Sequence, residues 1–177
     1  MVDKNLKNDS VHVRNALPEE LDEVSQLLQA AYRQYERFMP SEAWQAYLED
    51  ILNVRSRLTL AELIVDELNS KLVGTVTLYL KNSHPSETRW PEGWASIRLL
   101  AVHPKYRRQG ISHVLMDECI RRCRERGIST IGLRTTEIMD IARRMYERMG
   151  FTRIPEFDFH PSQEVVIAAY HLNLKRP

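Results

Sequence analysis

Between Trp94 and Thr135 the chain passes from an apolar stretch through a basic turn and a helix into a second apolar stretch, and no other passage restricts its fold as much. Trp94–Val102 reads as a strand ended by His103-Pro104, Ile111–Arg126 has helical periodicity, and Thr130–Thr135 reads as the next strand. A helix between two strands of one sheet makes a crossover, which sets those strands parallel. Ahead of it, Ala61–Leu68, a turn at Asn69-Ser70 and Leu72–Leu80 read as an antiparallel hairpin. An antiparallel meander joined to one β-α-β crossover predicts an α+β fold, with a central mixed, mostly antiparallel sheet and helices on both faces.

The flanks fit that plan. Val11 and Val13 alternate with polar neighbours as a short strand would, and Pro18-Glu19-Glu20 opens a helix whose Leu21, Val24, Leu27, Leu28 and Ala31 recur at helical spacing. A second helix follows Pro40, with Ser41 expected as its N-cap and Trp44, Tyr47, Leu48 and Ile51 as its apolar face. Asn82–Glu92 is expected to be a loop. A helix near Met139–Met149 and strands near Thr152–Phe159 and Val165–Leu174 complete the order. Nothing in composition marks an internal boundary, so residues 1–10 are expected to form a frayed arm and 11–177 a single domain.

Composition narrows the function. Against 25 Lys+Arg stand 24 Asp+Glu, a net charge of +1, so no global field draws the chain to nucleic acid or an anionic membrane. No stretch reaches the roughly 18 apolar residues of a membrane span, and the polar start lacks a secretory h-region, so the cytoplasm is the expected compartment. Cys119 and Cys123 lie four apart beside Ile111 and Leu115 on one helical ridge and are expected as small core hydrophobes. No histidine has metal-ligand spacing, and no metal is expected. Arg121, Arg122, Arg124 and Arg126 spread around a helix without interleaved aromatics, which points to a solvated face and not to a nucleic-acid site.

Chemistry concentrates at the turn before Ile111. Unpaired N–H groups at a helix N-terminus, a glycine at 110 that admits close approach, and Lys105, Arg107 and Arg108 around it make a prospective pyrophosphate cradle. Neither the P-loop pattern nor the three-glycine dinucleotide pattern is present. Arg107-Arg108-Gln109-Gly110-Ile111-Ser112 resembles instead the acetyl-coenzyme A signature Gln/Arg-x-x-Gly-x-Gly/Ala of the GCN5-related N-acetyltransferases, with Ser112 in the last small position. Ala142 four residues before Tyr146, followed by Gly150-Phe151, resembles the later motif of the same family.

That resemblance implies an acetyl-coenzyme A-dependent N-acetyltransferase acting on a primary amine by direct attack in a ternary complex, with a homodimer as a frequent assembly. It implies backbone contacts from Leu100, Ala101 and Val102 to the pantetheine arm, a pyrophosphate site at Arg107, Arg108, Gln109, Gly110, Ile111 and Ser112 with His113 at its edge, and Tyr146 as the acid that protonates the leaving thiolate. A small-molecule amine is the expected acceptor. A protein or peptide amine, and a coenzyme A-binding regulatory module without catalysis, remain as alternatives.

Relatives often carry a glutamate base where this chain has Ser96, Arg98 or Arg134, and Arg134 argues against the ribosomal-protein branch. The base is then elsewhere, a water chain or absent; Glu92 and Glu137 are weak candidates that read more readily as surface acids, and Met139 replaces a frequent cofactor-touching Asn. The early helices, which in relatives cover the acceptor, contribute Tyr32, Tyr35, Glu36, Phe38, Trp44 and Tyr47. From Pro18 to Asp50 they hold 8 acids against 2 bases, more in keeping with a solvated acidic face than with a site for a cationic acceptor.

Overall fold

The computed structural model describes residues 12–80 and 90–175. Strands β1 (His12–Asn15), β2 (Glu62–Leu68), β3 (Lys71–Tyr79), β4 (Ala95–Val102), β5 (Thr130–Thr135), β6 (Thr152–Arg153) and β7 (Ala168–Asn173) form one sheet in the order β1-β2-β3-β4-β5-β7-β6. All neighbours are antiparallel except β4 and β5, which the crossover makes parallel. The frayed arm expected over residues 1–10, Val11 and most of the expected Asn82–Glu92 loop lie outside the described residues.

Helices α1 (Leu21–Tyr32), α2 (Ser41–Leu52) and α3 (Val54–Arg57) cover one face, and α4 (Ile111–Glu125) and α5 (Asp140–Arg148) the other. Leu21, Val24, Leu27, Leu28 and Ala31 are all buried, as their spacing requires of a helix on a sheet. On the opposite face Ile111, Leu115, Cys119 and Cys123 are buried along one ridge, and desolvation raises the Cys123 thiol to about 12. Asn69 and Ser70 take φ of 51° and 60°, so a two-residue turn with both central residues left-handed closes the β2–β3 hairpin.

Three local expectations are corrected. Ser41 is the first helical residue and Pro40 the cap, because proline fills a position whose N–H is not required and its extended ψ of 146° leads into the turn. The strand expected over Thr152–Phe159 stops at Arg153. Pro155 cannot donate to a ladder and starts a 3-10 turn over Pro155–Phe157, after which Phe159 makes a single bridge to Ile167. The last strand starts at Ala168, with Val165 and Val166 exposed ahead of it, and pairs within the chain with both β5 and β6.

Candidate active site

The site begins as a fault in β4. Thr75 pairs with Ala101 and Thr77 with Arg98, so two residues, Leu99 and Leu100, stand opposite Val76 alone. Leu99 absorbs the extra residue with φ 54°, a left-handed conformation that is rare for a branched apolar side chain. On its other side β4 pairs with β5 at Ala95–Ile131, Ser96–Gly132 and Ile97–Leu133, and no further pair is formed among the described residues. The two strands part there, leaving main-chain groups of Leu100, Ala101 and Val102 to face an open cleft of about 600 Å³.

The cleft runs to the start of α4. Gly110 caps that helix at φ 81° and has no side chain to accept the first-turn amides; a Cβ built on it meets nothing within 4 Å. Gly110, Ile111, Ser112 and His113 line this end, as do Arg107 and Arg108. The Arg107 guanidinium also donates to the Ala31 carbonyl at 3.1 Å and the Gln34 side chain at 3.3 Å, tying the turn to the end of α1. Gln109 is exposed on the turn and does not line the cleft, so among the ten positions that the resemblance assigns to cofactor binding it alone is not brought to the site. His103 serves the turn: its Nδ1 accepts the Lys105 N–H at 3.3 Å.

Tyr146 reaches the cleft from α5, on the opposite face of the sheet from Tyr32 and Tyr35, which line it from α1 and the following turn. Its ring packs 5.8 Å from that of Phe151. Burial holds its phenol well above the ordinary tyrosine range, with Tyr35, Cys119 and Tyr47 adding to the effect, so the hydroxyl keeps its proton throughout the neutral range. Tyr32 stacks edge-on with both Tyr35 and Tyr47, at 5.8 and 6.0 Å, so the early helices present an aromatic wall. Trp44 is buried behind that wall, while Phe38 and Glu36 are exposed.

Neither Glu92 nor Glu137 lines the cleft, and both are exposed. Met139 does line it, in the place of the frequent Asn. Reading by motif gave Arg98 and Arg134 no part in the site, yet both line it. The signal was in the strand parity: each follows by one residue the last pair, Ile97–Leu133, that holds β4 to β5. Among the described residues no group of three or more His, Cys, Asp and Glu is placed to hold a metal ion, and no helix is long and apolar enough to cross a membrane.

Comparison with known proteins agrees with this fold. A [ribosomal protein bS18]-alanine N-acetyltransferase of Haemophilus ducreyi is 35% identical over 60 residues, a match that spans 34% of this chain and 41% of that protein. The PaiA N-acetyltransferase of Thermoplasma acidophilum, solved in complex with coenzyme A, superposes with a TM-score of 0.75 at 14% identity, over 93% of this chain and 99% of that one. A GNAT family acetyltransferase from Brucella melitensis in complex with acetyl-CoA superposes with a TM-score of 0.64 at 19% identity, over 95% of this chain and 90% of that one. The model of the acetyltransferase (GNAT) family matches residues 21–151, and the chain belongs to that family.

Proposed function

We propose that this chain transfers an acetyl group from acetyl-coenzyme A to a primary amine of a small molecule, by direct attack while both are bound. The observation that carries the reading is the parting of β4 from β5 beyond Ile97–Leu133, with a cleft that leads from the gap to the uncapped first turn of α4. A strand edge without a partner and a ring of outward amides are what a long ligand with an amide-bearing arm and a pyrophosphate requires, so the residues present fit the group. When bound, acetyl-coenzyme A supplies an activated thioester.

The protein's part is then positioning and proton transfer. Main-chain groups of Leu100, Ala101 and Val102 fix the arm, and the amides of Ile111 and Ser112 with Arg107, Arg108 and His113 hold the phosphates, Gly110 leaving them room. Fixed donors bring the carbonyl carbon to the amine in one orientation, which removes much of the entropic cost of the encounter. The amine must be neutral to attack. As the C–S bond breaks, the electron pair stays on sulfur, whose thiol form has a pKa of about 8.5 by analogy with cysteine, and Tyr146 donates its proton there; the proton that the attacking nitrogen loses goes to water, and water returns one to the Tyr146 phenolate.

The local match to a bS18-alanine acetyltransferase favours a second reading, in which the acceptor is the N-terminal amine of a protein. Thermal unfolding with and without acetyl-coenzyme A, followed on the same sample by release of free thiol with amino acids, polyamines, aminoglycosides and short peptides, tests both. A higher Tm with thiol release supports the enzyme and tells the acceptor classes apart. A higher Tm without release from any amine favours a binding module, and an unchanged Tm overturns the assignment of the cleft.

A further inference from the structure

Five arginines line the cleft, and no carboxylate among the described residues does. Three of the five are committed to other groups of the protein. Arg98 is bound by Asp50, Arg134 by the Phe157 carbonyl and the Trp90 face, and Arg107 by the Ala31 carbonyl and Gln34. Arg108 and Arg148 are exposed and make no hydrogen bond or ion pair among the described residues. Arg108 stands in the turn two residues before Gly110, beside the amides already assigned to the pyrophosphate. Arg148 comes from a separate element, the last turn of α5.

An unpaired state is not the rule for the arginines of that helix. Helix α5 holds Arg143, Arg144 and Arg148 and two acids, Asp140 and Glu147. Arg143 is bonded to both acids and Arg144 to Asp140 at 2.8 Å, while Glu147 also accepts from the Tyr170 hydroxyl at 3.2 Å. Neither acid, nor Arg143 or Arg144, lines the cleft. Ile141, Ala142, Met145, Tyr146 and Arg148 do, and at about 3.6 residues per turn those five share one side of the helix while the paired charges share the other. Ile141, Met145 and Arg148 follow one another at i, i+4 and i+7, so the ridge that carries buried Met145 also aims Arg148. Arg148 is thus the one arginine of α5 without a counter-charge and the one that faces the cleft. The first turn of α4, on the same face of the sheet, lines that cleft with it.

Coenzyme A brings more negative charge to this face than the turn answers. Its pyrophosphate takes the α4 amides with Arg107 and Arg108 beside them. A third phosphate, the monoester on the 3′ carbon of the ribose, carries about two negative charges at neutral pH and offers three acceptor oxygens. A guanidinium answers both the charge and the geometry, because its planar fork of donors matches a phosphate edge. We propose that Arg148 binds the 3′-phosphate of coenzyme A and so lets the protein tell coenzyme A from the molecule that lacks this group. This inference rests on the acetyl-transfer reading above and deepens it.

The test is calorimetric titration of the whole chain with coenzyme A and with 3′-dephospho-coenzyme A, which differ in that phosphate alone. The parent is expected to bind coenzyme A more tightly by at least about tenfold. In Arg148→Gln the Kd for coenzyme A is expected to rise until the two ligands bind within about twofold of each other, with the Kd for the dephospho ligand near its parent value. Arg148→Lys, which keeps the charge, is expected to retain part of the preference, and Arg144→Gln, on the other side of α5, all of it. Tm without ligand checks that each variant folds, and the comparison in the parent needs no variant. A parent that binds neither ligand overturns the acetyl-transfer reading itself. A parent that binds both but does not prefer coenzyme A overturns this inference alone. So does an Arg148→Gln variant that keeps the parent's ratio, or one that weakens both ligands alike, as loss of a cation that only steadies the helix end would.

Discussion

Tyr146 joins the two halves of the site, because its phenol enters from α5 and meets a tyrosine wall built by α1 and α2. Removing only the hydroxyl keeps the ring against Phe151 and deletes the proton donor. Tyr146→Phe is therefore expected to lower kcat by about 10²-fold or more while leaving the Kd for acetyl-coenzyme A near its parent value, checked by thiol release and by calorimetry. Gly110 carries the complementary prediction. Aspartate tolerates the left-handed φ of 81° better than most residues, so Gly110→Asp should fold, yet it places a negative charge against the phosphates. Its Kd for coenzyme A is expected to rise by at least about tenfold in the same titration.

Among the elements, α4 is seated on β3 through a gap that only glycine leaves. A Cβ at Gly74 would lie 2.6 Å from Ile111 Cγ2 and 2.9 Å from Leu115 Cδ1, and Ile111 is the first residue of the helix whose amides face the cleft. Gly74→Ala is expected to cost about 1–3 kcal/mol of stability and to weaken coenzyme A binding by moving that first turn, read as a lower Tm and a higher Kd. Much of this scale was legible in advance. The limits of β5 and the buried ridges of α1 and α4 follow from periodicity, because each element meets the core with one face and the pattern has no competitor. The fault in β4 was not legible, since Leu99-Leu100-Ala101-Val102 is apolar throughout and a uniform run conceals where alternation slips. Nor was the short turn over Arg33–Phe38, whose Gln34 is held by Arg107 from far along the chain. At the site, the motif located Tyr146 and the turn, whereas Arg98 and Arg134 could be placed only once the β4–β5 register was known.

For the whole molecule, two buried or half-buried acids pull stability in opposite directions with pH. Asp66 is fully buried on β2 beside Gly74, and desolvation lifts its carboxyl to about 6. A folded-state value above the unfolded one means that stability falls as pH rises from about 4 toward 6 and stays lower above it. Glu118, bonded to Arg121 and Arg122, is held down to about 2, so its contribution is present above the unfolded value near 4.5 and is lost as pH falls through the folded one. Asp66→Asn is accordingly expected to raise Tm by several degrees at pH 7.5 and to match the parent below about pH 4, which melting curves across that range would check. The fault in β4 also bears on the phase of the strand. Ser96 and Arg98 before it and Leu99 and Ala101 after it all turn toward the early helices, whereas Ile97 and Leu100 turn toward α4. Without Leu99, the side chains from Ser96 to Val102 would alternate strictly and none of them would change face, so the extra residue is an insert that bends β4 against β3 while leaving both faces dressed as they are.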